Sequence, residues 1–270
     1  MRPLLFTGPL KTIVYIDGFN LYYAIRGSGC KWLDLKKLAL QVLPGGVVLE
    51  KIKYYTARVS GANDPGQPQR QQVYLNALKT ITEVEVFFGT FLAKDQWRPL
   101  LNLPVADRVM SNGNAVHQLT SLTYAVAIDP QLPRSSIESI AVSKYPVVRQ
   151  RRARPTPAKD AVKVQVFTME EKGSDVNLAV HLVNDAWAGR FEAAAVLSND
   201  TDLVEPIRIV TNELNKPVML LCPSPFGASK PLAQVASSVR HIRPTHLNAS
   251  LLPDPVIDRR GVPVPKPTGW

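Results

Sequence analysis

Apolar positions in this chain fall into short uninterrupted runs that end at polar turns, and between them lie stretches with helical spacing. Thr12–Ile16 (TIVYI), Lys51–Arg58, Val84–Leu92, Val162–Thr168, Ala193–Leu197 and Pro217–Cys222 read as strands, several of them apolar enough to be buried on both faces. Leu21–Arg26, Asp34–Leu43, Gln69–Thr80, the stretch from Ser174 through Val176, Ala179, Val180, Val183 and Trp187, Leu203–Leu214 and Pro231–Val239 read as helices. Pro44-Gly45-Gly46, the Gly/Pro/Asn-rich Gly61–Pro68 and Glu170–Gly173 break between them. Strand and helix in alternation predict an α/β fold of three layers with a central, mostly parallel sheet. Between Ala93 and Lys159 the rhythm is lost, and only Asn114–Ile128 suggests a helix. That segment reads as an insertion at about 94–159, and the Pro-rich tail, residues 244–270, as extended or disordered.

The ends of the strands carry the chemistry. TIVYI runs into Asp17-Gly18-Phe19-Asn20, where Gly18 is expected to free the backbone for a tight turn. AAAVL runs into Ser198-Asn199-Asp200-Thr201-Asp202, and the strand at 162–168 leads into a helix opening at Ser174-Asp175. One acid in such a place is explained as a helix cap. Ligands of open α/β sheets bind beyond the carboxyl ends of the strands, and acids at three such ends can converge there. Asp17, Asp175, Asp200 and Asp202 would then repel one another unless a cation sat among them. Oxygen-only donors favour Mg²⁺ or Mn²⁺ over zinc. Such a site suits attack of water on a phosphodiester. Asn20 is placed to orient water or a phosphate oxygen, or to close a local turn; Ser198, Asn199 and Thr201 stand beside the acids. His181 reads as an ordinary helix-face or core histidine.

Charge and composition narrow the partners. The 270 residues carry a net charge of +10, which favours a polyanion, nucleic acid first. Lys144, Arg149, Arg151, Arg152, Arg154 and Lys159 fall within sixteen residues that contain no acid, a basic stretch suited to tracking phosphates. A solvated linker has the same composition. Cys30 and Cys222 make neither a zinc pattern nor a disulfide framework, so a reducing cytoplasm is expected. The apolar stretch near the N-terminus is too short for a signal peptide, and no run approaches the ~20 residues of a membrane span.

The motifs YIDGFN at 15–20, EKGSDVNLAVHLVNDA at 171–186 and VLSNDTDL at 196–203 together resemble the NYN domain of the PIN-like nuclease superfamily, in its DUF88 or LabA-like branch. The resemblance spans residues 11–243 apart from the insertion. It implies a PIN-like α/β/α fold, a metal-dependent ribonuclease acting on RNA, and an acidic Mg²⁺ or Mn²⁺ site of Asp17, Asp175, Asp200 and Asp202 with Asn20 and Ser198 beside it. Cutting of DNA, or RNA binding without turnover, are the alternatives, and self-association and a protein partner such as an antitoxin are left open. A phosphatase with a nucleophilic Asp two residues before a second Asp is disfavoured, since Phe19 stands at that second place.

Overall fold

The computed structural model describes residues 9–59, 64–99, 108–111, 114–118, 125–126, 163–224 and 226–270. Alternation of buried residues along the strands determines how the layers are built. In β1 (Leu10–Asp17), Ile13 and Tyr15 face one side of the sheet while Val14 and Ile16 face the other. β8 (Ala193–Leu197) and β9 (Val218–Cys222) repeat this, every residue in them being buried. Two apolar clusters result, one on each face. The first holds Leu21 and Ile25 of α1 (Gly18–Ile25), Leu35, Leu38 and Val42 of α2 (Leu35–Val42), and Leu75 and Leu78 of α3 (Gln67–Leu78). The second holds Leu178 and Leu182 of α4 (Ser174–Trp187), Ile207 of α5 (Val204–Arg208) and Leu232 of α6 (Lys230–Val235).

Six strands form an all-parallel sheet in the order β10-β9-β8-β1-β2-β3, with β2 at Val47–Ala57, β3 at Val84–Pro99 and β10 at Ser238–His241; β7 (Lys163–Lys172) lies next to β3. From β1 the chain builds outward through β2 and β3, then returns to β8 on the other side of β1 and continues to β9 and β10. The order therefore reverses between β1 and β8. Helices on the two faces diverge at such a point and leave a crevice at the strand ends.

Contact within the chain divides it into two compact units, Met1–Phe91 with Glu171–Trp270, and Leu92–Glu170. In the second, β4 (Arg108–Ser111), β5 (Asn114–Gln118) and β6 (Ala125–Val126) form an antiparallel sheet. The helix expected over Asn114–Ile128 is thus strand where it is described. Apolar spacing in a short run suits either state, and pairing decided it. Lys144, Arg149, Arg151, Arg152, Arg154 and Lys159 lie outside the described residues.

Three further expectations change. The turn at Glu170–Gly173 contracts to Gly173, whose φ of +92° is left-handed, because β7 continues to Lys172. Pro231–Val239 is split between α6 and the edge strand β10. The tail expected to be extended or disordered is ordered. Its helix α7 (Pro244–Ala249) packs on α2, and Leu247, Leu252 and Val256 are buried in the first cluster. The Trp32 indole donates to the Pro253 carbonyl at 3.0 Å, and Trp270 meets Trp32 and Tyr74 with ring centroids 6.4 and 5.3 Å apart. Prolines suppress regular structure but not burial, and a few well-spaced apolar residues were enough to dock the segment. Among the described residues no helix is long and apolar enough to cross a membrane.

Candidate functional site

Register brings the first two motifs together. Ile16 of β1 is level with Leu197 of β8, so Asp17 and Ser198 emerge side by side at the carboxyl edge, at the point where strand order reverses. Asp17 is 2% exposed and ends β1 as the cap of α1, its Oδ1 accepting from the Asn20 amide N at 2.9 Å. Its Oδ2 accepts from the Asn20 side-chain amide and from Ser198 Oγ, the latter at 2.9 Å. The Ser198 hydroxyl in turn accepts from the Asp200 amide N at 3.1 Å. Asn20 Oδ1 accepts from the Asn199 amide N at 3.3 Å, and Asn199 Oδ1 from the Ser229 amide N at 2.7 Å. Asp17, Asn20, Ser198, Asn199 and Asp200 are therefore one bonded cluster.

Gly18 has a different reason to be glycine from the one expected. Its backbone is not left-handed; a Cβ there would lie 2.6 Å from the Tyr55 carbonyl oxygen and 2.7 Å from the Tyr54 hydroxyl. The residue lets α1 start hard against β2, which holds Asp17 and Asn20 at the edge.

Burial pushes the Asp17 carboxyl above its ordinary range; hydrogen bonds from Asn20 and Ser198 pull it back, and the charge of Asp200 pushes it further up. No Lys or Arg pairs with Asp17 among the described residues. A buried acid that no Lys or Arg pairs with among the described residues, beside a second acid, suits an oxygen-binding divalent ion. The three hydrogen bonds from Asn20 and Ser198 leave Asp17 a spare lone pair, and Mg²⁺ needs only one or two carboxylates because it keeps waters and binds substrate phosphates.

The four-carboxylate convergence expected from the motifs is not assembled. Among the described residues, no group of three or more His, Cys, Asp or Glu side chains is close enough to hold a metal ion. Asp200 accepts from the Asp202 amide N at 3.1 Å and so caps a 3₁₀ turn, Thr201–Leu203, on which Asp202 and Thr201 are exposed. Asp175 lies in the first turn of α4, whose cap is Gly173 rather than Ser174 or Asp175. That helix packs on β1, β2 and α5. The two acids joined through Ser198 are buried Asp17 and partly exposed Asp200.

A second polar cluster escaped the sequence reading. Asp185 of α4 is fully buried; its Oδ2 accepts from Lys53 Nζ at 2.6 Å and Tyr15 Oη at 2.7 Å, and its Oδ1 from Arg190 Nη1 at 2.6 Å. Further along the same interface, the Tyr55 hydroxyl is 3.0 Å from His181 Nδ1, and the His181 ring meets Phe87 edge-on. Burial and the nearby Lys53 charge hold the His181 imidazole below its ordinary value, which favours the neutral ring. The signal was Lys53 itself, a cation between Ile52 and Tyr54 in the buried half of β2 that had to find an acid. Of the apolar positions singled out on α4, Ala179 and Val183 pack against the second cluster, but Val176, Val180 and Trp187 are exposed, and it is Leu178, Leu182 and Ala186 that are buried against the sheet. Both faces of that helix are apolar, so periodicity could not choose.

No protein-family model matches the chain. The chain is a distant homologue of 6-hydroxy-3-succinoylpyridine 3-monooxygenase HspA of Pseudomonas putida, 26% identical over 294 aligned positions that take in all of this chain and 78% of that protein. A solved structure of a protein of unknown function from Vibrio parahaemolyticus superposes with a TM-score of 0.45 at 16% identity, over 92% of this chain and all of that one.

Proposed function

We propose that this protein is a metal-dependent ribonuclease that hydrolyses RNA phosphodiester bonds at the crevice between β1 and β8, in the manner of the NYN-type nucleases its motifs resemble. The observation that carries this reading is Asp17, buried without a cationic partner among the described residues and pressed by Asp200 at the point where strand order reverses. Asp17 and Asp200 would hold a Mg²⁺ or Mn²⁺, with Asp175 and Asp202 drawn in from the same end of the sheet. When bound, that ion supplies activation of water at neutral pH and neutralises charge developing on the phosphate. The chain's own work is positional. Asn20 grips both oxygens of Asp17, Ser198 ties Asp17 to the turn that carries Asp200, and Asn199 anchors that turn to the Ser229 backbone. The basic stretch Lys144, Arg149, Arg151, Arg152, Arg154 and Lys159 would follow the RNA backbone, with DNA as the alternative polymer.

The test is incubation of the purified protein with labelled RNA and with DNA of matched sequence, in Mg²⁺, in Mn²⁺ and in EDTA. Cleavage of RNA with either ion, lost in EDTA and in Asp200→Asn, is expected. RNA intact under every ion would overturn the reading. The identity to HspA favours a second one, oxygenation of a hydroxylated pyridine. Dioxygen uptake on adding 6-hydroxy-3-succinoylpyridine with an electron donor, unaffected by Asp200→Asn, would replace the first with the second.

A further inference from the structure

The helix that follows Asp17 has an outer face of unusual make-up. α1 buries Gly18, Leu21 and Ile25 against the sheet, so by helical spacing its outer face carries Phe19, Tyr22, Tyr23 and Arg26, at i, i+3, i+4 and i+7. The solvent side of an amphipathic helix is ordinarily charged or polar. Here it is three aromatic rings and a guanidinium. Tyr23 is 60% exposed, its ring 6.5 Å from that of Phe19 and 5.6 Å from that of Tyr22, centroid to centroid. Arg26 lies over the Tyr23 ring with its guanidinium carbon 5.5 Å from the centroid. The strip begins beside Asn20, the residue that grips Asp17, and runs one helix length away from the acidic edge.

Resting on the ribonuclease reading, we propose that this strip is a stacking platform for unpaired bases, so that the substrate entering the acidic edge is single-stranded RNA. Three features select that occupant. Every base has a flat π-face, and aromatic side chains hold such faces without regard to sequence. The cation at the far end of the strip is placed to meet a backbone phosphate, and the chain as a whole carries +10. The platform is continuous with the edge where Asp17 and Asp200 meet, so a strand stacked on Tyr23 leads its backbone toward the acids. A duplex offers no free base faces and gains nothing from the rings.

The experiment measures binding in EDTA, where no metal-dependent cleavage occurs. A fluorescein-labelled oligouridylate of about ten nucleotides, within the ~4–16 that aromatic single-strand sites cover, is titrated by anisotropy against the wild type, Tyr23→Ala, Tyr23→Phe and Arg26→Gln. Tyr23 is exposed, so its truncation leaves the core intact, which a circular dichroism spectrum checks. Tyr23→Ala is expected to weaken binding roughly 5- to 150-fold, the range for one lost base stack, and Tyr23→Phe to keep it within about 2-fold. Arg26→Gln is expected to flatten the slope of log affinity against log salt by about 0.7, the value for one phosphate contact on a single strand. Annealing the oligonucleotide to its complement is expected to abolish the difference between wild type and Tyr23→Ala.

Equal affinity of Tyr23→Ala and wild type for the single strand overturns the proposal. So does a Tyr23→Ala protein that binds RNA normally and changes from dimer to monomer, since the strip is then a contact between copies. Normal Tyr23-dependent binding by a wild type that never cuts RNA in Mg²⁺ or Mn²⁺ removes the nuclease reading and leaves the platform standing.

Discussion

Replacing Lys53 by Met tests whether the cluster around Asp185 is what pins α4 to the sheet, and with it the helix turn that bears Asp175. Lys53 is 8% exposed and Asp185 fully buried, with 2.6 Å between Nζ and Oδ2. Removing one member of a buried ion pair costs ~3–5 kcal/mol, because the other charge is left in a poor solvent. Here the loss is cushioned. Arg190 still holds Oδ1 at 2.6 Å and Tyr15 still donates to Oδ2, so the lower end, about 3 kcal/mol, is expected. For a chain of this size that is a fall in Tm of roughly 6–12 °C.

The sign with pH follows from Asp185. Burial pushes its carboxyl up, but the bonds from Lys53, Tyr15 and Arg190 outweigh this and hold it below its ordinary value of 3.8. Its contribution is therefore whole above the unfolded pKa and is lost as pH falls through the lower folded one. Lys53→Met should shift acid unfolding to higher pH. Urea denaturation at pH 7 and an acid titration followed by circular dichroism measure both effects. The double variant Lys53→Met/Asp185→Asn should recover most of the lost stability, since no charge is then left buried, the amide oxygen still accepts from Tyr15, and Arg190, its side chain 56% exposed, is free to turn to solvent. A single variant within about 1 kcal/mol of wild type, or a double variant worse than either single, refutes the reasoning.

The other expectations concern the edge and the tail. Mg²⁺ or Mn²⁺ at about 100 times its dissociation constant should stabilise the wild type by ~2.7 kcal/mol, read as a thermal shift, and Asp200→Asn should erase the shift while keeping the apo Tm, since Asn also caps a helix. The same variant should lower cleavage by more than the ~100-fold typical of losing an outer-sphere partner. Gly18→Ala, whose methyl meets the Tyr55 carbonyl, should cost about 1–3 kcal/mol and reduce cleavage by displacing Asn20; unchanged activity would show that the close approach is not needed. Trp270→Ala should cost about 2 kcal/mol, roughly half the ~3–5 of a fully buried Trp, and speed proteolysis at the C-terminus.

Sequence pattern carried the fold where local and global preferences agreed. Buried parallel strands are nearly all apolar, so β1, β8 and β9 announced themselves, and the acids in the polar turns that end the first two, Asp17 and Asp200, were visible with them. What failed was non-local. The convergence of four acids assumed that strand ends alone aim side chains, yet Asp200 turns its oxygen onto the Asp202 amide and Asp202 faces outward. The docking of the tail depends on Trp32, Leu33 and Tyr74, more than 170 residues away in the chain. The inner face of α4 was hidden because Val176, Val180 and Trp187 make an equally apolar stripe on its outer side.

Among the described residues two aspartates lie buried against this sheet, and the difference between them is the strongest guide to function. Asp185 is surrounded by groups of the chain itself: an ammonium, a guanidinium and a phenol, which bring its carboxyl down. Asp17 receives only neutral donors and a neighbouring carboxylate, and its carboxyl is pushed up. Folding alone would favour replacing such an acid by a neutral residue, because an isolated buried charge costs stability and a well-hydrogen-bonded amide does not. An acid held there, on a turn tightened around it by Asn20, Ser198 and a glycine with no room for a methyl, is what the proposed metal site would require. The compensated acid ties a helix to the sheet; the uncompensated one stands where strand order reverses.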